Sequence, residues 1–505
     1  MERARWDDAL YAAFRAKDAR FDGRFFVGIS TTGVYCRPIC RARQARPEHC
    51  TFFSSAAEAE QAGYRPCLLC RPELAPGNAP VDAGSALARK AARLLEENCG
   101  SGQSLKEIAA RLGCTDRHLR RVFLEEYHVT PVRYLQTCRL LLAKNLLTDT
   151  ELSVLDVAMA AGFGSLRRMN DLFRRQYRLS PTALRRQSRE GRPHAGGITV
   201  TLGYRPPYRW EEMLRFLADR AIAGVEQVGD GQYARTARLT DRTGRVCTGW
   251  LRVARHPRRD ALEVTLSDTL LPVLSQVLAR VRQLFDLYCD PDAVYETLRC
   301  MDELRPGLCV KGRRVPGCFD PFETSVRAIL GQQITVKAAS TLAGRMAREL
   351  GTPVETGIQG LTHTFPTAAD ILNLGDGVRE RLGSLGVTAA RAVCIHGLAD
   401  ALERGELRLD QSADPQREMK KLRALRGIGS WTAQYIAMRT MGWPDAFLET
   451  DAGVKRALPD CSPGERLALA ERWRPWRSYA VVNLWFGAEA HSAAPDQDET
   501  ASGGL

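Results

Sequence analysis

The period of the apolar positions changes along the chain. Between about 86 and 187 it is helical, and one pattern occurs twice. SLKEIAARLG (104–113) and SVLDVAMAAG (153–162) match position for position in apolar character. Phe123 follows Gly113 and Phe173 follows Gly162 at nearly equal spacing; Tyr127 and Tyr177 stand four residues further on, then Thr130-Pro131 or Ser180-Pro181. Helix, glycine turn, second helix is the layout of a helix-turn-helix, whose second helix enters the DNA major groove. The reading helices are therefore expected at 115–123 and 164–173, joined by the apolar helix RYLQTCRLLLAKNLL (133–147). From Ile198 to about Thr269 the texture turns to β-branched alternation: ITVTLGY, VCTGWLRVARH and ALEVTLSD read as strands, interrupted by the helical WEEMLRFLADRAI. From about Leu270 helical spacing continues nearly to the end.

Breaks in these patterns mark units. RPELAPGNAPVDAGSA (71–86) and SREGRPHAGG (188–197) read as linkers, and the polar stretch 491–505 as a disordered tail. A chain of 505 residues with 44% hydrophobic content has room for three or four domains with real cores. The expected fold is multidomain α+β. A small α/β domain (1–78) precedes an all-α double helix-turn-helix domain (84–187), an α/β subdomain (198–310) and an all-α domain (311–490).

Charge and cysteines narrow the partners. A net charge of +13, mostly arginine, points to a polyanion, and no basic amphipathic membrane anchor stands out. No run of 18 apolar residues occurs, and the start MERARWDDALYAAF has no signal-peptide core. A cytoplasmic, nucleoid-associated protein that binds double-stranded DNA is expected, with no membrane partner. Cys36 and Cys40 (C-x3-C) and Cys67 and Cys70 (C-x2-C) form two close pairs able to give four thiolates to one Zn2+. The bland alternative is buried free cysteines or one disulfide. His49 and Cys50 read as incidental, because four thiols already complete the site. The other cysteines are scattered singly, which suits a reducing compartment.

The stretch DGRFFVGISTTGVYCRPICRARQARPE with AGYRPCLLCRP resembles the zinc-binding N-terminal domain of the Ada family over about residues 1–78. The resemblance implies that Cys36 is both zinc ligand and nucleophile, taking a methyl group from a methylated DNA phosphate. Arg37, Arg41, Arg43 and Arg46 are then expected to meet the phosphate backbone. A purely structural zinc and a zinc- or redox-sensing regulator are the alternatives. The repeated block resembles the AraC-type DNA-binding domain, with Arg117, His118, Arg120, Arg121, Arg167 and Arg168 available to bases or phosphates and RNA polymerase as a partner; an inert helical bundle is the alternative. No Pro-Cys-His-Arg segment of alkylguanine transfer occurs, so no O6-methylguanine repair is expected.

Leu425-Arg426-Gly427-Ile428-Gly429-Ser430-Trp431-Thr432 is a glycine hairpin whose following helix start can grip a DNA phosphate. It resembles the helix-hairpin-helix of DNA glycosylases, and with Phe447-Leu448-Glu449-Thr450-Asp451 the likeness narrows to the AlkA type over about 198–487. Supporting segments are Tyr204–Tyr208, Arg327–Gln333 and Pro475–Tyr479. The resemblance implies DNA-3-methyladenine glycosylase II chemistry: a flipped nucleotide, Asp451 stabilising the oxocarbenium sugar, and no lysine for a Schiff base. Trp431, Tyr435, Trp485 and Phe216 match pocket aromatics and are expected to stack on a cationic base, or else to fill core. Gln333 stands where the family inserts an apolar wedge, Ala452 where an aromatic follows the aspartate, and Thr450 replaces a second acid. A monovalent cation at the 425–430 hairpin is a further expectation, without a side-chain ligand. The rival class is a regulator whose C-terminal part is a non-catalytic DNA clamp.

Overall fold

The structure is a computed structural model. It describes residues 2–75, 86–100, 103–188, 198–241 and 243–492. The expected linkers, over 76–85 and 189–197, and the tail from 493 lie outside the described residues. The molecule is multidomain α+β and mostly helical.

After a first helix, Glu2–Arg15, the N-terminal unit forms a four-stranded sheet from β1 (Phe26–Ile29), β2 (Val34–Cys36), β3 (Cys50–Phe53) and β4 (Arg65–Pro66), in the order β3-β1-β2-β4. Gly33, at φ +64, closes the β1–β2 hairpin, which is why Thr-Thr-Gly stands just before the first cysteine. β4 pairs parallel to β2, Val34 against Arg65 and Tyr35 against Pro66. The next step of that register brings Cys36 beside Cys67.

The repeat folds as its pattern predicts. The first copy is Leu105–Arg111 and Asp116–Tyr127, the second Val154–Ala160 and Leu166–Tyr177, with Pro131–Asp149 between. Ser104, Thr115, Thr130, Ser153 and Ser165 each cap a helix by accepting an amide three residues on. Gly113 and Gly162 both take positive φ in the turns.

The next unit is a fully antiparallel sheet of β5 (Ile198–Gly203), β6 (Glu226–Gly229), β7 (Gln232–Thr240), β8 (Val246–Arg255) and β9 (Ala261–Leu266), in the order β5-β9-β8-β7-β6. The three strands expected from the sequence are β5, β8 and β9; β6 and β7 carry no clear apolar alternation. Trp210–Ala218 packs on this sheet, and helices follow from Leu274 onward.

The apolar interior does not respect the sequence boundary near 188–197. One cluster runs from Leu140 of the connecting helix and Phe173 of the second repeat through Val200 and Leu274 to Trp473 and Phe486. The first repeat has a separate core around Phe123, to which Ala57 of the zinc unit contributes. Two buried side chains bind the zinc unit to the helix Pro131–Asp149. Glu60 accepts from Tyr35 (3.1 Å), Tyr177 (3.1 Å) and Thr137 (2.9 Å). Arg71, next to Cys70, reaches Asp149 (2.8 Å) and Asn145 (2.9 Å).

Candidate functional site

Cys36, Cys40, Cys67 and Cys70 converge. Their sulfurs all lie within 4.8 Å of one another, the only such metal-competent group among the described residues. Tetrahedral Zn–S bonds of about 2.3 Å place sulfurs roughly 3.8 Å apart, so the four fit one Zn2+. Three sulfurs take a backbone amide: Cys40 from Ala42, Cys67 from Cys70, and Cys70 from Arg37 at 3.4 Å. An N–H···S bond draws charge from sulfur and so tempers these three thiolates. Cys50 stays outside the group, bonded to the Arg46 carbonyl at 3.4 Å, with burial pushing its thiol up to about 11.

The arginines around this cluster divide. Arg41, Arg43 and Arg46 are exposed. Arg37 is not, which corrects the expectation that it meets phosphate. It is buried, its guanidinium forks onto both carboxylate oxygens of Asp22, and it donates to the Cys70 carbonyl at 3.2 Å. It supports the cluster from below.

In the paired repeats, Arg117, His118, Arg120, Arg121, Arg167 and Arg168 all face solvent from the two expected reading helices. Arg120 pairs with Asp116 (3.0 Å) and Arg121 with Glu125 (2.9 Å). Such exposed pairs are weak and leave the guanidiniums available to a stronger anion.

Asp451 caps the helix Ala452–Ala457. Oδ1 accepts from the amides of Gly453 (2.8 Å) and Val454 (3.2 Å) and from the Trp485 indole (2.8 Å), while Oδ2 accepts from the Trp431 indole (3.1 Å). Four donors converge on an acceptor-only carboxylate, and three of them use Oδ1. Oδ2 retains lone-pair capacity for a substrate. Sequence reasoning found the aspartate and both tryptophans but missed that the indoles act through their N–H groups. It also missed Gly453, where a Cβ would stand 2.4 Å from Cδ1 of Trp485.

The four aromatics come together as a run: Phe216 stacks on Trp485 (5.8 Å), Trp485 tilts toward Tyr435 (6.5 Å), and Tyr435 stacks on Trp431 (5.2 Å). Phe216 is buried, and the Arg220 guanidinium lies 3.8 Å from its ring centre. Arg439 lies over Tyr435 at 5.3 Å and donates to its hydroxyl. Burial opposes ionisation of that phenol, but Arg439, Arg220 and Arg327 outweigh it and hold Tyr435 below its ordinary range. Protein cations already occupy the Phe216 and Tyr435 rings. Phe216 thus takes the core-filling alternative at the back of the site, and Trp431 and Trp485 lie nearest the carboxylate. No sequence motif marks Arg220 or Arg439.

Gly427 (φ +95) and Gly429 lie in the exposed hairpin between Pro415–Ala424 and Ser430–Thr440, where the first amides of the second helix lack helical partners. The hairpin itself supplies no acidic side chain for a monovalent cation. Gln333 is exposed, with φ +56.

Three family models match the chain: the metal binding domain of Ada over residues 9–73, a helix-turn-helix domain over 88–187 and the AlkA N-terminal domain over 199–320. A probable bifunctional transcriptional activator/DNA repair enzyme AlkA of Mycobacterium tuberculosis is 38% identical over 487 residues, covering 95% of this chain and 96% of its own length. The DNA-3-methyladenine glycosylase 2 of Escherichia coli is 39% identical over 286 residues, 57% of this chain and 96% of its own. The bifunctional transcriptional activator/DNA repair enzyme Ada of the same organism is 36% identical over 157 residues, 31% of this chain and 43% of its own.

Proposed function

Since the chain belongs to the AlkA family of bifunctional transcriptional activators and DNA repair enzymes, we propose that one polypeptide both reports alkylation of DNA and removes it. Its C-terminal part is an AlkA-type DNA-3-methyladenine glycosylase, joined to an Ada-type zinc domain and a DNA-binding helix-turn-helix domain.

In this reading the damaged purine leaves the duplex and enters the space beside Trp431 and Trp485. Alkylation gives the base a positive charge, so the N-glycosidic bond breaks with both electrons passing to the base. Asp451 Oδ2 faces the developing cation at C1′ and stabilises it. Water adds at C1′ and gives up a proton, leaving an abasic sugar and a free base. Ser430 and Trp431 stand at the hairpin's second helix, with no lysine to form a Schiff base. We therefore assign a monofunctional enzyme. Gly427 and Gly429 hold a phosphate, while Gln333 fills the emptied stack.

For the zinc domain we assign methyl acceptance to Cys36. A Zn2+ held by Cys36, Cys40, Cys67 and Cys70 would keep the sulfurs deprotonated at neutral pH. The Cys36 sulfur attacks the methyl carbon of a methylphosphotriester; an S–C bond forms, the C–O bond breaks, and the phosphodiester leaves as an anion. The exposed Arg41, Arg43 and Arg46 meet the neighbouring phosphates. Loss of thiolate charge then strengthens promoter binding through Arg117, Arg121, Arg167 and Arg168, with RNA polymerase recruited there.

The observation that carries the glycosylase reading is the Asp451 carboxylate, held by four N–H donors with Oδ2 left open. Release of 3-methyladenine or 7-methylguanine from a duplex by the full chain tests it. Asp451→Asn should slow release by about a hundredfold or more. Unchanged release would remove Asp451 from the chemistry, and no release by the unaltered, DNA-binding protein would favour a non-catalytic clamp.

A further inference from the structure

The loop that carries Gln333 is bolted to the DNA-gripping hairpin by its neighbour. Gln332 donates from Nε2 to the Gly427 carbonyl (2.9 Å) and to Thr432 Oγ1 (3.0 Å), 95 and 100 residues away. The Arg391 guanidinium donates to the Gln332 carbonyl. On the hairpin side, Gly427 has φ +95 and packs where a Cβ would meet Cys394 at 3.2 Å. On the loop side, the helix Pro321–Leu330 that leads into Gln332 is fixed by buried ion pairs, Arg235 with Glu323 (2.6 Å) and Arg327 with Glu226 (3.0 Å).

Gln333 itself has φ +56, a left-handed conformation that costs a non-glycine residue on the order of 1 kcal/mol unless its surroundings enforce it. The residue before it is tied down at both its side chain and its carbonyl, the latter by Arg391. We propose that Gln332 is a positioning residue for nucleotide extrusion, setting the distance between the phosphate grip at Gly427–Gly429 and the plug at Gln333 before DNA arrives. The inference rests on the glycosylase reading and assigns a part of it that Asp451 does not touch. Both groups contact DNA only if they are correctly spaced, so fixing them in advance lowers the ordering cost of pushing a base out of the stack. The bond to the Gly427 carbonyl requires a donor. Glutamate at 332 would instead set a carboxylate against that oxygen.

The test separates extrusion from chemistry. Single-turnover base release is measured on two duplexes: 7-methylguanine opposite cytosine, and the same lesion opposite an abasic-site analogue, where no pair has to be broken. Gln332→Ala and Gln332→Glu should each slow release from the paired duplex about tenfold and change release from the unpaired one by less than about twofold. Gln333→Ala should slow release from the paired duplex at least as much, and Gln332→Ala added to it should cost nothing more there. Equal losses on both duplexes, no loss on either, or fully additive losses in the double variant would overturn the proposal while leaving the glycosylase reading intact. No release by the unaltered protein from either duplex would sink the glycosylase reading, and this one with it.

Discussion

Trp485 reaches Asp451 only because residue 453 has no side chain: a Cβ on Gly453 would lie 2.4 Å from Cδ1 of the indole and 3.1 Å from Oδ1 of the carboxylate. The glycine supplies the first capping amide to Asp451 and, by its bareness, the space for the side-chain donor. Gly453→Ala should therefore displace Trp485 and rotate the carboxylate. Base release should fall at least about tenfold, with overpacking costing about 1–3 kcal/mol of stability. Binding to a duplex carrying an abasic-site analogue, measured alongside, should stay within about threefold.

Burying Arg37 against Asp22 makes the pair a support for the zinc ligand Cys70, since Arg37 also holds the Cys70 sulfur and carbonyl. Asp22→Ala leaves a guanidinium buried without its anion, which costs about 3–5 kcal/mol. The expected result is faster loss of zinc to a chromogenic chelator and a lower melting temperature. Arg43→Ala, at an exposed position, should change neither, while weakening DNA binding at low salt.

Burial pushes the Glu60 carboxyl up to about 7, against the pull of Thr137, Tyr35, Tyr177 and Arg133. The folded protein then binds more protons than the unfolded chain between the ordinary glutamate value of 4.5 and about 7. The stability from Glu60 is fully present below that window and lost as pH rises through it. Glu60→Gln should remove this dependence. Its melting temperature relative to the unaltered protein should rise from pH 5 to pH 8, then level; a constant difference would contradict the assignment.

Cys36 is 5% exposed, whereas Cys70 is partly open to solvent. Exposure alone would favour Cys70 as the methyl acceptor; the amide that Cys70 accepts lowers its nucleophilicity, and the likeness to the metal binding domain of Ada favours Cys36. Peptide mass mapping after exposure to a methylphosphotriester duplex decides between them. S-methylation on Cys36 is expected, and methylation confined to Cys70 would reverse the assignment.

Local patterns were legible and distant pairings were not. The double repeat was readable because each copy carries its own caps and glycine turn within ten residues of its apolar face. Strand β7 (Gln232–Thr240) was hidden because Arg235 and Arg238 break its alternation. Their partners, Glu323 and Asp370, lie 88 and 132 residues away. Arg37 read as part of an exposed arginine run for the same reason, since Asp22 comes from another loop. At Asp451 the carboxylate was evident from its segment, but the role of Gly453 appears only once Trp485 folds back from 34 residues on.

The shared core from Leu140 to Phe486 bears on how such a chain can change over generations. A module hung on a bare tether can be traded in one recombination event, but here the helix Val154–Ala160 lies against the segment Asp268–Val273. Exchanging the second repeat for a foreign one would strip cover from Leu270 and Val273. Retargeting to new promoters is thus confined to outward positions such as Arg167 and Arg168. Met169 and Phe173, within two helical turns, belong to the enzyme's interior as much as to the regulator's.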